Sequence, residues 1–210
     1  ESFVVMPEGL NGRTTVLDDP CEVSRNTQAS KHPNPSTPAH PFPSTCRSQA
    51  ADFCGHGGGG VNGRRYLLPC LYSHRPVACV VLALGCNDLK QRHNLEPADI
   101  AYGVQTLLTD ISRSTAGPDA APPRLVVLST PACSETPQAI SWGFRGCKDK
   151  SRATIAAMRG VAAGCGAPFV DLGTVASVGL DGIHFGANAA TPIGEAVALA
   201  VRVALNVHEK

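Results

Sequence analysis

The sequence has almost no net charge and no long apolar run. Its 210 residues include 18 Lys and Arg against 17 Asp and Glu, a formal net charge of +1. This balance gives no electrostatic reason to expect a nucleic acid or an anionic membrane as partner. No run of about 18 apolar residues could span a bilayer, and the first residues lack the features of a signal peptide. We therefore expect a soluble protein whose function depends on a local site.

The cysteines do not have the pattern of a disulfide framework. There are nine of them, an odd number, and none forms a Cys-x-x-Cys pair. Several lie in apolar segments, such as Cys79 beside Val80 and Val81, where cysteine commonly behaves as a small buried hydrophobe. This usage favours a reducing, intracellular compartment.

The composition is that of one folded domain with a large insertion. Hydrophobic residues make up 43% of the chain and charged residues 17%, which excludes disorder throughout and predicts a single domain over 1–210. The segment 21–63 is rich in Pro and Gly and has almost no apolar periodicity, so we expect an irregular surface insertion. Its Cys21, Cys46, Cys54 and His56 match no common zinc spacing, and no metal is expected.

Short apolar runs alternate with helical patterns along the rest of the chain. Four runs that end at Gly, Pro or polar residues predict buried strands at 3–6, 78–84, 125–129 and 169–172. Apolar residues at three- and four-residue spacing predict helices at 97–113, 151–165 and 192–205. This alternation predicts an α/β fold with a parallel sheet covered on both faces.

Polar motifs follow the predicted strands, at the edge where open α/β sheets bind their ligands. They occupy residues 8–15 (EGLNGRTT), 85–88 (GCND), 131–133 (PAC) and 181–184 (DGIH). Taken singly, Asn-Gly and Asp-Gly are common turns, and a lone histidine is more often structural than catalytic. Their occurrence after successive strands, on one predicted edge, favours a common site.

The sequence resembles the SGNH (GDSL-type) hydrolases, most closely their arylesterase and acyltransferase branch. The resemblance is carried by residues 8–15 with 18–20, 66–71 with 73–74, 84–90, 99–101 and 181–184. It implies a three-layer α/β/α, flavodoxin-like fold with a parallel sheet. It also implies hydrolysis of short-chain carboxylic esters, with acyl transfer to alcohols as a related reaction, and no cofactor.

The resemblance implies a role for each matching residue. His184 would take the proton of the nucleophile and return it to the leaving alcohol, while Asp181 would hold the imidazole and stabilise its cation. The backbone N–H of Gly12 and the side-chain amide of Asn87 would face the developing oxyanion. Cys86 stands where relatives usually carry Thr.

The residues that contact the substrate are predicted less directly than the catalytic residues. The segment 134–150, with Trp142 and Phe144, is expected to wall the acyl or alcohol pocket, and Asn11 is a third candidate. The alternative for the two aromatic residues is packing beneath a loop. The expected partner is a small ester.

The family's first block, Gly-Asp-Ser-Leu, carries the serine nucleophile and does not occur in this sequence. The first strand and its serine are therefore expected to lie outside the chain. Ser2 is at the wrong end of its predicted strand, and Ser36 and Ser44 have no strand before them. Cys86 could be imagined as a thiol partner of His184, but nothing in the sequence shows the required geometry.

Two hypotheses therefore remain open. In one, the chain is the bulk of an esterase that lacks its N-terminal segment and is inactive without it. In the other, it is a non-catalytic SGNH-like subunit in which another segment or a partner chain replaces the missing strand. A larger assembly with a foreign strand would support the second hypothesis, and an active monomer or homo-oligomer would count against it.

Overall fold

The computed structural model describes residues 4–6, 14–16 and 62–206. The predicted insertion 21–63 therefore lies outside the described residues, apart from Asn62 and Gly63. Asn11, Gly12 and the candidate zinc ligands of the insertion also lie outside them. The single-domain prediction for 1–210 stays a prediction.

The described strands form one parallel sheet. β1 (Cys79–Leu82), β2 (Arg124–Leu128) and β3 (Phe169–Val170) lie in that order, with Cys79 opposite Arg124 and Val127 opposite Phe169. These strands lie within one residue of the predicted ranges or inside them, and the predicted parallel pairing is confirmed.

Two strand predictions need correction. Residues 4–6 have no strand conformation, and Val4 and Val5 are 87% and 84% exposed. A strand is stabilised by its ladder, and among the described residues no neighbouring strand pairs with this segment. β3 ends before the predicted residue 172 because the Asp171 side chain accepts the Gly173 N–H and starts a helix at Leu172.

Six α-helices surround the sheet in the described residues, and four short 3₁₀ turns join them. The α-helices are α1 (Gly63–Ser73), α2 (Pro97–Ser112), α3 (Pro137–Ser141), α4 (Cys147–Gly164), α5 (Leu172–Val175) and α6 (Ala190–Ala204). The 3₁₀ turns are Asn87–Leu89, Gln91–His93, Pro118–Ala120 and Ala187–Ala189. α2, α4 and α6 correspond to the three predicted helices.

The helices that periodicity missed have clear local caps. The Asn62 side chain accepts the N–H groups of Arg64 and Arg65 and starts α1, in a segment where Pro69 obscures the apolar pattern. The Thr136 hydroxyl accepts the Ala139 N–H and starts α3. The segment 134–150, expected to be a loop, therefore contains α3 and the first turn of α4.

Separate apolar clusters cover the two faces of the sheet. α2 and α4 pack on the first face, where Leu107, Val127 and Met158 are fully buried. α6 packs on the second face, against Val126 and Val170. The fold is thus a three-layer α/β/α arrangement, as predicted. None of the described helices combines the length and apolar character needed to cross a bilayer.

Candidate active site

The segment that follows α5 folds into a tight turn that brings Asp181 and His184 together. An antiparallel bridge between Val178 and Phe185 frames the turn, and the Gly179 N–H donates to the His184 carbonyl at 2.6 Å. Asp181 Oδ2 lies 2.8 Å from His184 Nδ1. When Nδ1 carries the proton and donates it to Asp181, Nε2 of the neutral ring is an acceptor. The pair can therefore act as a general base through Nε2.

The other oxygen of Asp181 shapes the turn itself. Oδ1 accepts the backbone N–H groups of Ile183 at 2.8 Å and His184 at 2.9 Å. Desolvation pushes the pKa of Asp181 upward, but these two bonds and the one from the His184 ring outweigh it and hold the pKa below its ordinary value. The carboxylate is thus ionised at neutral pH and stabilises a protonated imidazole. The His184 side chain is 68% exposed, so solutes reach it.

The loop after β2 holds this turn in place. The Ser134 N–H donates to the Gly182 carbonyl at 2.8 Å, and the Thr136 hydroxyl donates to the Asp181 carbonyl at 2.6 Å. Gly182 has a φ of +81°, and a Cβ added there would collide with the Ser134 carbonyl oxygen. Only glycine satisfies both the backbone conformation and the close approach of the two loops.

Asn87 opens the 3₁₀ turn that follows β1, at the same edge of the sheet as the Asp181–His184 turn. The chain reaches it through Gly85, whose φ is +111°. Its neighbour Asp88 is fully buried and accepts the Thr15 N–H with both carboxylate oxygens, each at 3.1 Å, and the Thr15 hydroxyl. Asp88 therefore ties the segment that follows Gly12 to the turn that carries Asn87.

The burial of Asp88 has an electrostatic consequence. Desolvation raises the pKa of Asp88, and the hydrogen bonds from Thr15 only partly oppose this shift. The sequence pattern places Asp88 only within the polar motif 85–88 and indicates no partner for it. The two adjacent threonines at 14 and 15 are the signal that could have indicated a partner for this carboxylate.

Trp142 lies directly after α3 and contacts the catalytic candidate. Its ring meets the His184 ring edge to face, with centroids 5.6 Å apart and planes at 70°. Beside it, an open surface depression of about 430 Å³ is lined by Gln91, Arg92, Ser141, Trp142 and Gly143. Trp142 therefore connects His184 to a space that a substrate group can occupy.

Phe144 occupies a different environment. It is 3% exposed and packs in an apolar cluster with Leu89 and Ile100. The Lys90 ammonium lies 5.5 Å from the centre of its ring. This burial favours the packing interpretation of Phe144 over a direct substrate contact.

Cys86 packs against the same apolar cluster, which also contains the buried Cys133 and Cys147. This arrangement gives no support to Cys86 as the thiol partner of His184. Within the part of the chain that the structure describes, no group of three or more His, Cys, Asp or Glu residues could hold a metal ion.

Solved structures of esterases are similar to this chain over nearly its whole length. The native M. smegmatis aryl esterase superimposes with a TM-score of 0.73 and 29% identity, over 97% of this chain and 80% of that one. The inhibitor-bound form of that enzyme superimposes with a TM-score of 0.69 and 30% identity, over 96% of this chain and 78% of that one. A carbohydrate acetylesterase family member from Sinorhizobium meliloti superimposes with a TM-score of 0.72 and 26% identity, over 97% of this chain and 81% of that one.

Sequence-based comparisons add no relative to these. No protein-family model matches the chain, and no curated protein matches it. The structural relatives nevertheless combine an aligned span of nearly the full chain with an identity of 30% in the inhibitor-bound form. By this likeness in sequence and fold, the chain belongs to the family of the M. smegmatis aryl esterase.

Proposed function

We propose that this chain forms most of a serine-type esterase that hydrolyses short-chain carboxylic esters. The observation that carries the proposal is the 2.8 Å contact between Asp181 and His184, with an exposed imidazole and an ionised carboxylate. The relatives support the ester class, since they are described as aryl esterases and a carbohydrate acetylesterase. The attacking serine is supplied by sequence outside these 210 residues.

In the first half of the reaction, His184 Nε2 takes the proton of the serine hydroxyl as its oxygen attacks the ester carbonyl. Asp181 stabilises the imidazolium that forms. The carbonyl oxygen becomes negative and accepts hydrogen bonds from the Asn87 amide and the Gly12 N–H. Each such donor contributes roughly 10²- to 10³-fold in rate.

The tetrahedral intermediate then collapses, and the bond between the carbonyl carbon and the alcohol oxygen breaks. His184 gives its proton to the departing alcohol, which leaves an acyl-enzyme. A water molecule then attacks the acyl carbonyl while His184 takes its proton, and the serine regains a proton as the acid departs. An alcohol in place of this water gives acyl transfer.

The open depression beside Trp142 is the proposed place for one side of the ester. Its indole offers an apolar platform, and Gln91, Arg92 and Ser141 offer polar groups around it. Asn11 is proposed as a further substrate contact from the segment before Gly12, and Phe144 as a support beneath the pocket.

The test uses the full gene product, including the sequence encoded upstream of Glu1, with p-nitrophenyl acetate as substrate. We expect turnover that falls by at least about 10³-fold in His184→Ala, because the general base is lost. His74→Ala, at the end of α1, is the matched control and should retain activity. Turnover that His184→Ala leaves unchanged would contradict the proposal.

A second candidate function is a non-catalytic interaction module. The observation that favours it is the outer edge of β1: among the described residues β1 pairs with β2 only, and Val81 is 37% exposed. Such an edge can accept a strand from another chain. Light scattering on the full gene product, beside the ester assay, distinguishes the two. An inactive protein that binds a partner chain supports the module, and an active monomer or homo-oligomer excludes it.

A further inference from the structure

A cation lines the open depression beside Trp142. Among the described residues that line this depression, Arg92 carries a charge and the others are neutral. Arg92 lies on the 3₁₀ turn Gln91–His93, whereas Trp142 directly follows α3. The depression therefore combines a guanidinium group with an aromatic ring that contacts His184.

Backbone contacts fix the position of Arg92 relative to Trp142. The Gln91 N–H donates to the Gly143 carbonyl at 2.7 Å, which ties the 3₁₀ turn to the residue after Trp142. A Cβ added to Gly143 would lie 3.4 Å from Arg92 Nη1, so the guanidinium lies close to this backbone. Because Gly143 has a φ of +90° and no side chain, the space beside Nη1 is left to a ligand.

A second cation lies behind this part of the depression. Lys90 is only 2% exposed, and its ammonium lies 5.5 Å from the ring centre of Phe144, the residue that follows Gly143. A charge held away from water is screened less than an exposed one. Lys90 therefore adds to the positive potential of Arg92, and the depression favours an anionic group.

We propose that Arg92 is a specificity-determining residue that binds a carboxylate on the alcohol part of the ester. This proposal rests on the proposed esterase function. Since the acyl group of that function is short, the depression of about 430 Å³ is left for the alcohol. The substrate class is then the acyl esters of aromatic alcohols that carry a carboxylate, of which the acetyl ester of 4-hydroxybenzoate is the simplest example.

The chemistry of the two side chains fits such an alcohol. A planar guanidinium matches a carboxylate with two parallel N–H donors, and it has further donors for contacts within the protein. The indole of Trp142 offers a surface on which an aromatic ring can pack. The carboxylate keeps its charge throughout the reaction, so Arg92 binds the substrate and the transition state alike. We therefore expect Arg92 to lower KM more than it raises kcat.

Two substrates of nearly the same shape test the specificity. 4-Acetoxybenzoate carries the carboxylate, and 4-acetoxybenzamide carries a neutral amide in its place. For the full gene product, we expect the ratio of their kcat/KM values to fall by at least about fivefold in Arg92→Gln, mainly through KM. Comparing ratios removes the difference in intrinsic reactivity between the two esters.

Two further variants sharpen this comparison. Arg92→Lys keeps the charge but lacks the planar fork, so its ratio should lie between those of wild type and Arg92→Gln. Arg124→Gln removes an exposed arginine at the amino end of β2, the opposite edge of the sheet, and should keep the wild-type ratio. A ratio that Arg92→Gln leaves unchanged would overturn the proposal.

A binding measurement separates this proposal from the esterase function. Trp142 is the single tryptophan of the 210 residues, so its fluorescence reports on ligands in the depression, and Trp142→Phe identifies its signal in the full gene product. We expect 4-hydroxybenzoate to bind wild type at least about fivefold more tightly than Arg92→Gln. The neutral 4-hydroxybenzamide should bind both equally.

The two measurements can fail independently. A protein that binds 4-hydroxybenzoate through Arg92 but hydrolyses no ester would refute the esterase function and leave the carboxylate site standing. An active esterase whose affinity for 4-hydroxybenzoate does not depend on Arg92 would refute the carboxylate site and leave the function standing.

Discussion

Asp181 uses its two carboxylate oxygens for different purposes. Oδ1 accepts two backbone N–H groups and shapes the turn, and Oδ2 contacts His184 Nδ1. An amide in place of the carboxylate can preserve the first set of contacts. It cannot stabilise a cationic imidazole, and an NH₂ group facing Nδ1 favours the tautomer that protonates Nε2.

Asp181→Asn should therefore lower both ester turnover and stability, and the loss of stability should depend on pH. We expect ester turnover of the full gene product to fall by about 10⁴-fold. Because the pKa of Asp181 is depressed in the folded state, its stabilising contribution is present above about pH 3.9. That contribution is lost as the pH falls through the depressed value.

Urea unfolding from pH 7 down to pH 3 measures this effect. The difference in unfolding free energy between wild type and Asp181→Asn should shrink as the pH falls below about 4. Asp149→Asn is the control, since that side chain is 94% exposed on α4, and its difference should stay near zero. A wild-type advantage that grows towards low pH would be inconsistent with an ionised Asp181.

At the scale of elements, the site depends on two loops that hold each other. The loop after β2 holds the Asp181–His184 turn through Ser134 and Thr136, and both bonds end on backbone carbonyls of the turn. The catalytic geometry is thus determined by loop packing more than by the strands themselves. At Gly182 the two backbones are in close contact, through the bond from the Ser134 N–H to the Gly182 carbonyl.

Gly182→Ala should separate the two loops. The added Cβ meets the Ser134 carbonyl and the positive φ is strained, so we expect a loss of about 1–3 kcal/mol in unfolding free energy. The matched control is Gly160→Ala on α4, where a Cβ meets nothing within 4 Å. That change should stabilise the helix by roughly 0.5–1 kcal/mol. Urea unfolding compares the two, and shifts of the same sign would refute the assigned role of Gly182.

At the scale of the whole molecule, the sheet is a central layer with apolar cores on both sides. The neighbouring residues Val126 and Val127 of β2 are both fully buried, although they face opposite sides. Because neighbouring residues of a strand point to opposite faces of the sheet, both can be buried only when helices cover both faces.

Val126→Ala and Val127→Ala test the two layers separately. Each removes two methyl groups from a packed core, so we expect each to lower the unfolding free energy by roughly 1.5–3 kcal/mol. Arg124→Ala, at the exposed start of the same strand, should change it by less than about 0.5 kcal/mol. A small loss for only one of the two valines would mean that one face of the sheet is poorly covered.

Much of the fold could be predicted from local pattern. The spacing of Val104, Leu107 and Leu108 predicts the buried face of α2, and β-branched runs predict β1 and β2, because burial repeats with the period of the element. The short helices α1 and α3 could not be predicted this way. They are set by the caps Asn62 and Thr136, not by a periodic apolar face.

The sequence by itself determined the α/β class and the Asp181–His184 motif, since both depend on residues close together in the chain. The tertiary structure alone decided the partner of Asp88, the contact of Trp142 with His184 and the bond from Thr136 to the Asp181 carbonyl. The physical reason is sequence separation. Contacts between residues tens of positions apart form only when packed layers bring their loops to one edge, and no local periodicity encodes them.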